Sequence, residues 1–94
     1  MNKIMLINRI SPEDYSKEKK KIFFSIGGMN ISAVENKVLD ALQGAGLIQQ
    51  DNLVIKYNGI ELKITIQEIP RVVKLLVGEG IAIYSIFELY DPNL

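Results

Sequence analysis

The chain contains neither cysteine nor histidine. Without cysteine it has no disulfide scaffold, thiolate metal site, thiol nucleophile or iron–sulfur ligation. Without histidine it also loses the central residue of serine triads, of the usual zinc sites and of imidazole acid/base catalysis. Charge of one sign is missing as well: eleven basic residues balance eleven acidic ones, so the molecule as a whole has no electrostatic pull toward nucleic acid or an anionic membrane. No apolar run is long enough to span a bilayer. The apolar stretch at the start is only a few residues long and is interrupted by Asn8 and Arg9, so it reads as a strand rather than a signal peptide.

What remains is a composition that is 48% hydrophobic and 23% charged, spread evenly over 94 residues. That is too apolar for disorder and long enough for one core. The expectation is a single soluble, globular, cytoplasmic domain with no cofactor and no direct membrane insertion.

The residue pattern alternates between two periods. Lys3 to Ile10 reads as a strand. Ser11-Pro12-Glu13-Asp14 combines an N-cap serine, a first-turn proline and carboxylates, which predicts a short helix. Lys21 to Ile26 is the first strand of the main sheet, with Ile22, Phe24 and Ile26 on one face. Ser32-Ala-Val-Glu35 has the form of a capping box and predicts a helix to about Gln43, with Val34, Val38, Leu42 and Ala45 on its apolar stripe and Ala41 beside them. Asn58-Gly59 predicts a two-residue type I′ hairpin that pairs Tyr57 with Ile60, Ile55 with Leu62, Leu53 with Ile64 and Lys56 with Glu61. Pro70 opens a second helix with Ile69, Val72, Val73 and Leu76 as its stripe, and Ile81 to Tyr90 is the last strand.

This order predicts an α+β, ferredoxin-like βαββαβ sandwich over residues 20–94. Its four antiparallel strands lie in the order four, one, three, two, with both helices on one face. Residues 1–19 form an N-terminal extension of one strand and a short helix.

The candidate chemical motifs are weak. Gly44-Ala-Gly46 and Gly78-Glu-Gly80 follow helices and open strands, the reverse of a phosphate loop, so they read as helix stops. Gly27-Gly28 sits between strand and helix but lacks the third glycine and the Lys-Ser/Thr ending. The isolated chain is therefore expected not to bind or hydrolyse nucleotide. The lysines at 17, 19, 20 and 21 read as a solvated approach to a strand, and Glu13, Asp14 and Glu18 as surface charge. Ile22-Phe23-Phe24-Ser25 lacks the glycine pattern of an RNA-stacking strand. No catalytic, cofactor-binding or metal-binding residue is named.

The stretch Ile69 to Leu94 resembles the accessory domain that follows the ATPase core in ATP-binding subunits of bacitracin- and antibiotic-type ABC exporters. In that family a helix ending in Gly-Ile leads to a strand with an aromatic and then a Pro-Ser-Leu-Glu-Asp segment. Gly80-Ile81, Tyr84 and Pro92-Asn93-Leu94 match it here. The opening Ile-Met-Leu-Ile-Asn-Arg and Ser11-Pro-Glu-Asp14 are similar to the last core strand and the start of the linker helix, although only Arg9-Ile10 stands where the family has a longer spacer. The resemblance implies a non-catalytic regulatory domain whose partners are the ATPase core, the permease or a second copy. The alternative is a stand-alone small-molecule sensor of the same fold.

The expected interface lies on the open face of the sheet. With Ile22, Phe24 and Ile26 toward the helices, Phe23 points away. If Ile81, Ile83, Phe87 and Leu89 turn inward, Tyr84, Ile86 and Tyr90 join Phe23 in an apolar strip beside Lys56, Glu61, Lys63 and Thr65. The competing expectation is that the N-terminal strand, through Ile4 and Leu6 or through Met5 and Ile7, folds back over the strip.

Overall fold

A computed structural model describes residues 7–49 and 51–90. It shows β1 (Ile7–Asn8), β2 (Lys20–Ile26), α1 (Ser32–Gly44), β3 (Leu53–Lys56), β4 (Gly59–Ile64), a 3₁₀ turn (Ile66–Glu68), α2 (Ile69–Gly78) and β5 (Ile83–Leu89). The strands form one antiparallel sheet in the order β1-β5-β2-β4-β3. The last four positions of that order, β5-β2-β4-β3, are the predicted ferredoxin-like arrangement. It arises because β2-α1-β3 and β4-α2-β5 are interleaved crossovers, each skipping one strand.

The helices cover one face. Ile22, Phe24, Ile60, Leu62, Val38, Leu42, Val72 and Leu76 are all fully buried between sheet and helices. Each such side chain contributes about 1.5–3 kcal/mol of transfer free energy. Both helices end in the same Schellman geometry. Leu47 N–H donates to the Leu42 carbonyl (2.9 Å) and Gly46 N–H to that of Gln43 (3.1 Å), while Ile81 N–H donates to Leu76 (3.0 Å) and Gly80 N–H to Val77 (3.0 Å). Gly46 and Gly80 hold the left-handed φ this requires, at 71° and 77°. Leu47 and Ile81 then turn inward and are buried. The two Gly-x-Gly motifs are helix stops, as their position after helices predicted.

Several local expectations are corrected. Ser11 to Asp14 is a turn and not a helix: Asp14 N–H donates to the Ser11 carbonyl (3.0 Å), and the Asp14 carboxylate accepts from Ser16 N–H (2.9 Å). Proline at the second position of a β-turn serves as well as proline at a helix start, and Asp14 closes the segment on itself. The capping box is absent at Ser32, where Ile31 is the N-cap without a side-chain bond. It appears instead at Thr65-x-x-Glu68, where Thr65 N–H donates to Glu68 Oε1 at 2.9 Å.

The hairpin pairs Leu53 with Leu62, Val54 with Glu61, Ile55 with Ile60 and Lys56 with Gly59, so its loop is Tyr57-Asn58 and its register lies two residues from the predicted one. A two-residue shift preserves which side chains share a face, so the apolar pattern did not discriminate between the two registers.

The N-terminal extension joins the same sheet. β1 pairs with β5 through Ile7↔Leu89 and Asn8↔Glu88, which extends the sheet edge; Ile4, Met5 and Leu6 lie outside the described residues. Residues 9–19 then return to β2 past the helix layer. Ile10 packs on the core, and Gln67 Nε2 donates to the carbonyls of Pro12 (2.8 Å) and Asp14 (3.0 Å).

Candidate functional site

The four side chains expected to share one surface are divided by a single irregularity. β2 and β5 pair Phe23 with Phe87, Phe24 with Ile86 and Ser25 with Ser85, and then Ile26 with Ile83. Tyr84 is therefore an extra residue with no partner across the ladder, a bulge that shifts the alternation of β5 by one. Ile83 faces the helices as predicted, but beyond the bulge Ile86 faces them too and packs against the core. Phe87 takes the open face in its place. The expected inward turn of Phe87 and outward turn of Ile86 assumed an unbroken period of two.

On the open face Phe23 is only 5% exposed. Its ring stands 5.2 Å from that of Phe87 at an interplanar angle of 34° and lies over Gly59, where an added Cβ would come within 2.9 Å of Phe23 Cζ. Aromatic pairs of this kind contribute about 0.5–1.5 kcal/mol beyond their area. Phe23 is thus a second, small packing centre beneath the sheet. Around it lie charges: Glu61 opposite Phe23, and Lys63 opposite Lys21.

Tyr84 and Tyr90 are the members of the expected set that reach solvent, at 75% and 46% exposure. Tyr84 is held despite its exposure. Its ring rests on Gly27, whose added Cβ would come within 2.8 Å of Tyr84 Cε2, and Gly27 N–H donates to the Ala82 carbonyl at 3.0 Å. Gly27 thus admits an aromatic ring against its backbone.

Two of the open clefts among the described residues flank the helices. One, of about 220 Å³, lies beside the Gly27-Gly28 turn and is lined by Val34, Lys37 and Ile81 among others. The other, of about 320 Å³, lies between Ala45, Arg71, Lys74 and Leu75. Arg71 is already committed there, donating to the Ala45 carbonyl at 2.8 Å and so capping α1 from α2.

The lysine run is partly used within the chain. Lys20 Nζ lies 3.6 Å from Asp14 and 3.7 Å from Glu18, and Lys19 Nζ donates to Gln49 at 3.2 Å. The Asp14 carboxyl is held below its ordinary pKa first by the hydrogen bonds from Ser16 and then by Lys20. Among the described residues no three acidic side chains converge as metal ligands would. A buried acidic residue that the sequence did not announce is Glu88, on the helix side of β5 opposite Ile22. Its position follows from the bulge at Tyr84, which no residue type in the segment signals.

No family model matches this chain, and neither a curated protein nor a solved structure matches it.

Proposed function

We propose that the chain is a non-catalytic interaction domain, and that it serves as the accessory domain of the ATP-binding subunit of a bacitracin- or antibiotic-type ABC exporter. The observation that carries the first part is Tyr84, an exposed aromatic pinned on a bulge against Gly27. A ring that is already ordered loses little entropy when a partner covers it, which is the property of interface anchors. Tyr90, just beyond the far end of the same strand, is a second exposed aromatic. The second part rests on the sequence resemblance, whose Gly80-Ile81 and Tyr84 fall on the α2 stop and the β5 bulge; Pro92, Asn93 and Leu94 lie outside the described residues.

The coding sequence on the N-terminal side is the first test. An ABC ATPase core in the same reading frame upholds the exporter assignment, and an unrelated frame overturns it. Within such a subunit, Tyr84→Lys with Tyr90→Lys is expected to change ATP turnover or subunit association while the fold persists. Unchanged turnover and association would overturn the anchor role.

The sensor reading draws on the cleft beside Gly27, where Lys37 offers a cation. At about 220 Å³ it falls below the roughly 300 Å³ at which pockets begin to bury a drug-sized ligand, and in the cleft of about 320 Å³ Arg71 is already committed to the Ala45 carbonyl, so the interaction reading is preferred.

A further inference from the structure

We infer that the free edge of β3 pairs with β3 of a second copy of this chain, antiparallel and centred on Val54. One end of the sheet is extended by β1, whereas β3 has β4 on one side and no described strand on the other. Lys63 N–H donates to the Asn52 carbonyl at 2.9 Å, so Asn52 and Lys63 are a hydrogen-bonded pair. By the alternation of antiparallel ladders, Val54–Glu61 and Lys56–Gly59 are hydrogen-bonded too, and Leu53–Leu62 and Ile55–Ile60 are not. The N–H and C=O groups of Leu53 and Ile55 therefore point away from β4, along the open edge.

Those groups match their own antiparallel copy. With a two-fold axis normal to the sheet at Val54, Leu53 stands opposite Ile55 of the second copy, and Ile55 opposite its Leu53. Each pair exchanges two hydrogen bonds, four in all. Asp51, at φ 68°, ends the strand and with it the ladder.

Side chains favour the same occupant. Val54 and Ile55 are 45% and 43% exposed although both lie in a strand. Edge strands in monomers are ordinarily blunted by charge, proline or a bulge, and β3 has only Lys56. Pairing sets Val54 against Val54 on the open face and joins Leu53 to Ile55 on the helix face. The strand is negative at its Asp51 end and positive at Lys56, so reversal brings each Lys56 opposite Asn52 and beside Asp51 of the other copy. An interface four residues long is smaller than a standard stable one, so the dimer is weak and concentration-dependent.

Charge swapping at Val54 tests this, because the side chain is exposed and the substitution leaves the core intact. The wild-type chain is expected to show a monomer–dimer equilibrium in sedimentation, with the Leu53 and Ile55 amides shifting with concentration. Val54→Lys alone and Val54→Glu alone place like charges across the two-fold, and each should stay monomeric with an unchanged circular dichroism spectrum. An equimolar mixture of the two should recover association. A wild type that remains monomeric up to millimolar concentration overturns the proposal. So does a mixture that stays monomeric, or a Val54→Glu chain that dimerises more tightly than wild type, which would set Val54 opposite Lys56 instead.

Discussion

Gly59 shows how one residue can be required for a reason other than the one its neighbours suggest. Asn58-Gly59 has the composition of a left-handed turn, yet neither residue has positive φ. Gly59 is instead the first residue of β4, and an added Cβ there would overlap the Phe24 carbonyl oxygen and press on the Phe23 ring. The two origins predict different mutants. If positive φ were the need, Gly59→Asn would be mild, since asparagine tolerates that region. Because close approach is the need, Gly59→Asn and Gly59→Ala are both expected to cost about 1–3 kcal/mol, read from denaturant midpoints. A nearly neutral Gly59→Asn would return the residue to the turn.

Asp14 carries a pH-dependent prediction of definite sign. Its folded pKa is lowered by Ser16 and Lys20, so its contribution is present above the ordinary carboxylate value and is lost as pH falls through the lower folded value. Urea midpoints of wild type and Asp14→Asn should differ by a constant amount near neutrality. The difference should shrink below roughly pH 4 and vanish in stronger acid. A gap that persists at the acid end would mean that Asp14 acts through shape rather than charge.

At the scale of elements, each Gly-x-Gly contains two glycines with opposite duties. Gly46 and Gly80 occupy the left-handed C′ position, and replacing either by alanine is expected to cost about 1 kcal/mol, additively in the double mutant. Gly44 and Gly78 are the last residues of their helices, with nothing within 4 Å of an added Cβ. Alanine there is expected to stabilise by about 0.5–1 kcal/mol. Thermal or denaturant unfolding of the four variants reads the contrast, and like responses within a pair would refute the Schellman assignment. Both helix stops were legible in the sequence because they depend on local backbone chemistry. Ser32-x-x-Glu35 and Thr65-x-x-Glu68 were not separable there, because both have the capping-box form and only the path of the preceding chain decides which hydroxyl stands at a helix start.

For the molecule as a whole, the sequence alone determined the types of the six main elements, the ferredoxin-like order of the four main strands and the core residues of β2 and the two helices. Periodicity, helix stops and the right-handed crossover are properties of short segments and of chain chirality, and these leave few arrangements open. Ile22, Phe24 and Ile26 on β2, with Val38, Leu42, Val72 and Leu76 on the helices, are buried as the pattern required. Tertiary structure decided the rest. It set the hairpin register, since two registers two residues apart satisfy the same alternation, and in the one adopted Gly59 is seated under Phe23 and beside Phe24. It placed the bulge at Tyr84, which sends Ile86 to the core and Phe87 to the open face, so the expected interface of Phe23, Tyr84, Ile86 and Tyr90 keeps only its two tyrosines at the surface. It also brought β1 alongside β5 and, among the described residues, left β3 as the open edge. Each of these outcomes depends on contacts between segments far apart in the chain, where the alternation of one strand carries no information about the strand it meets.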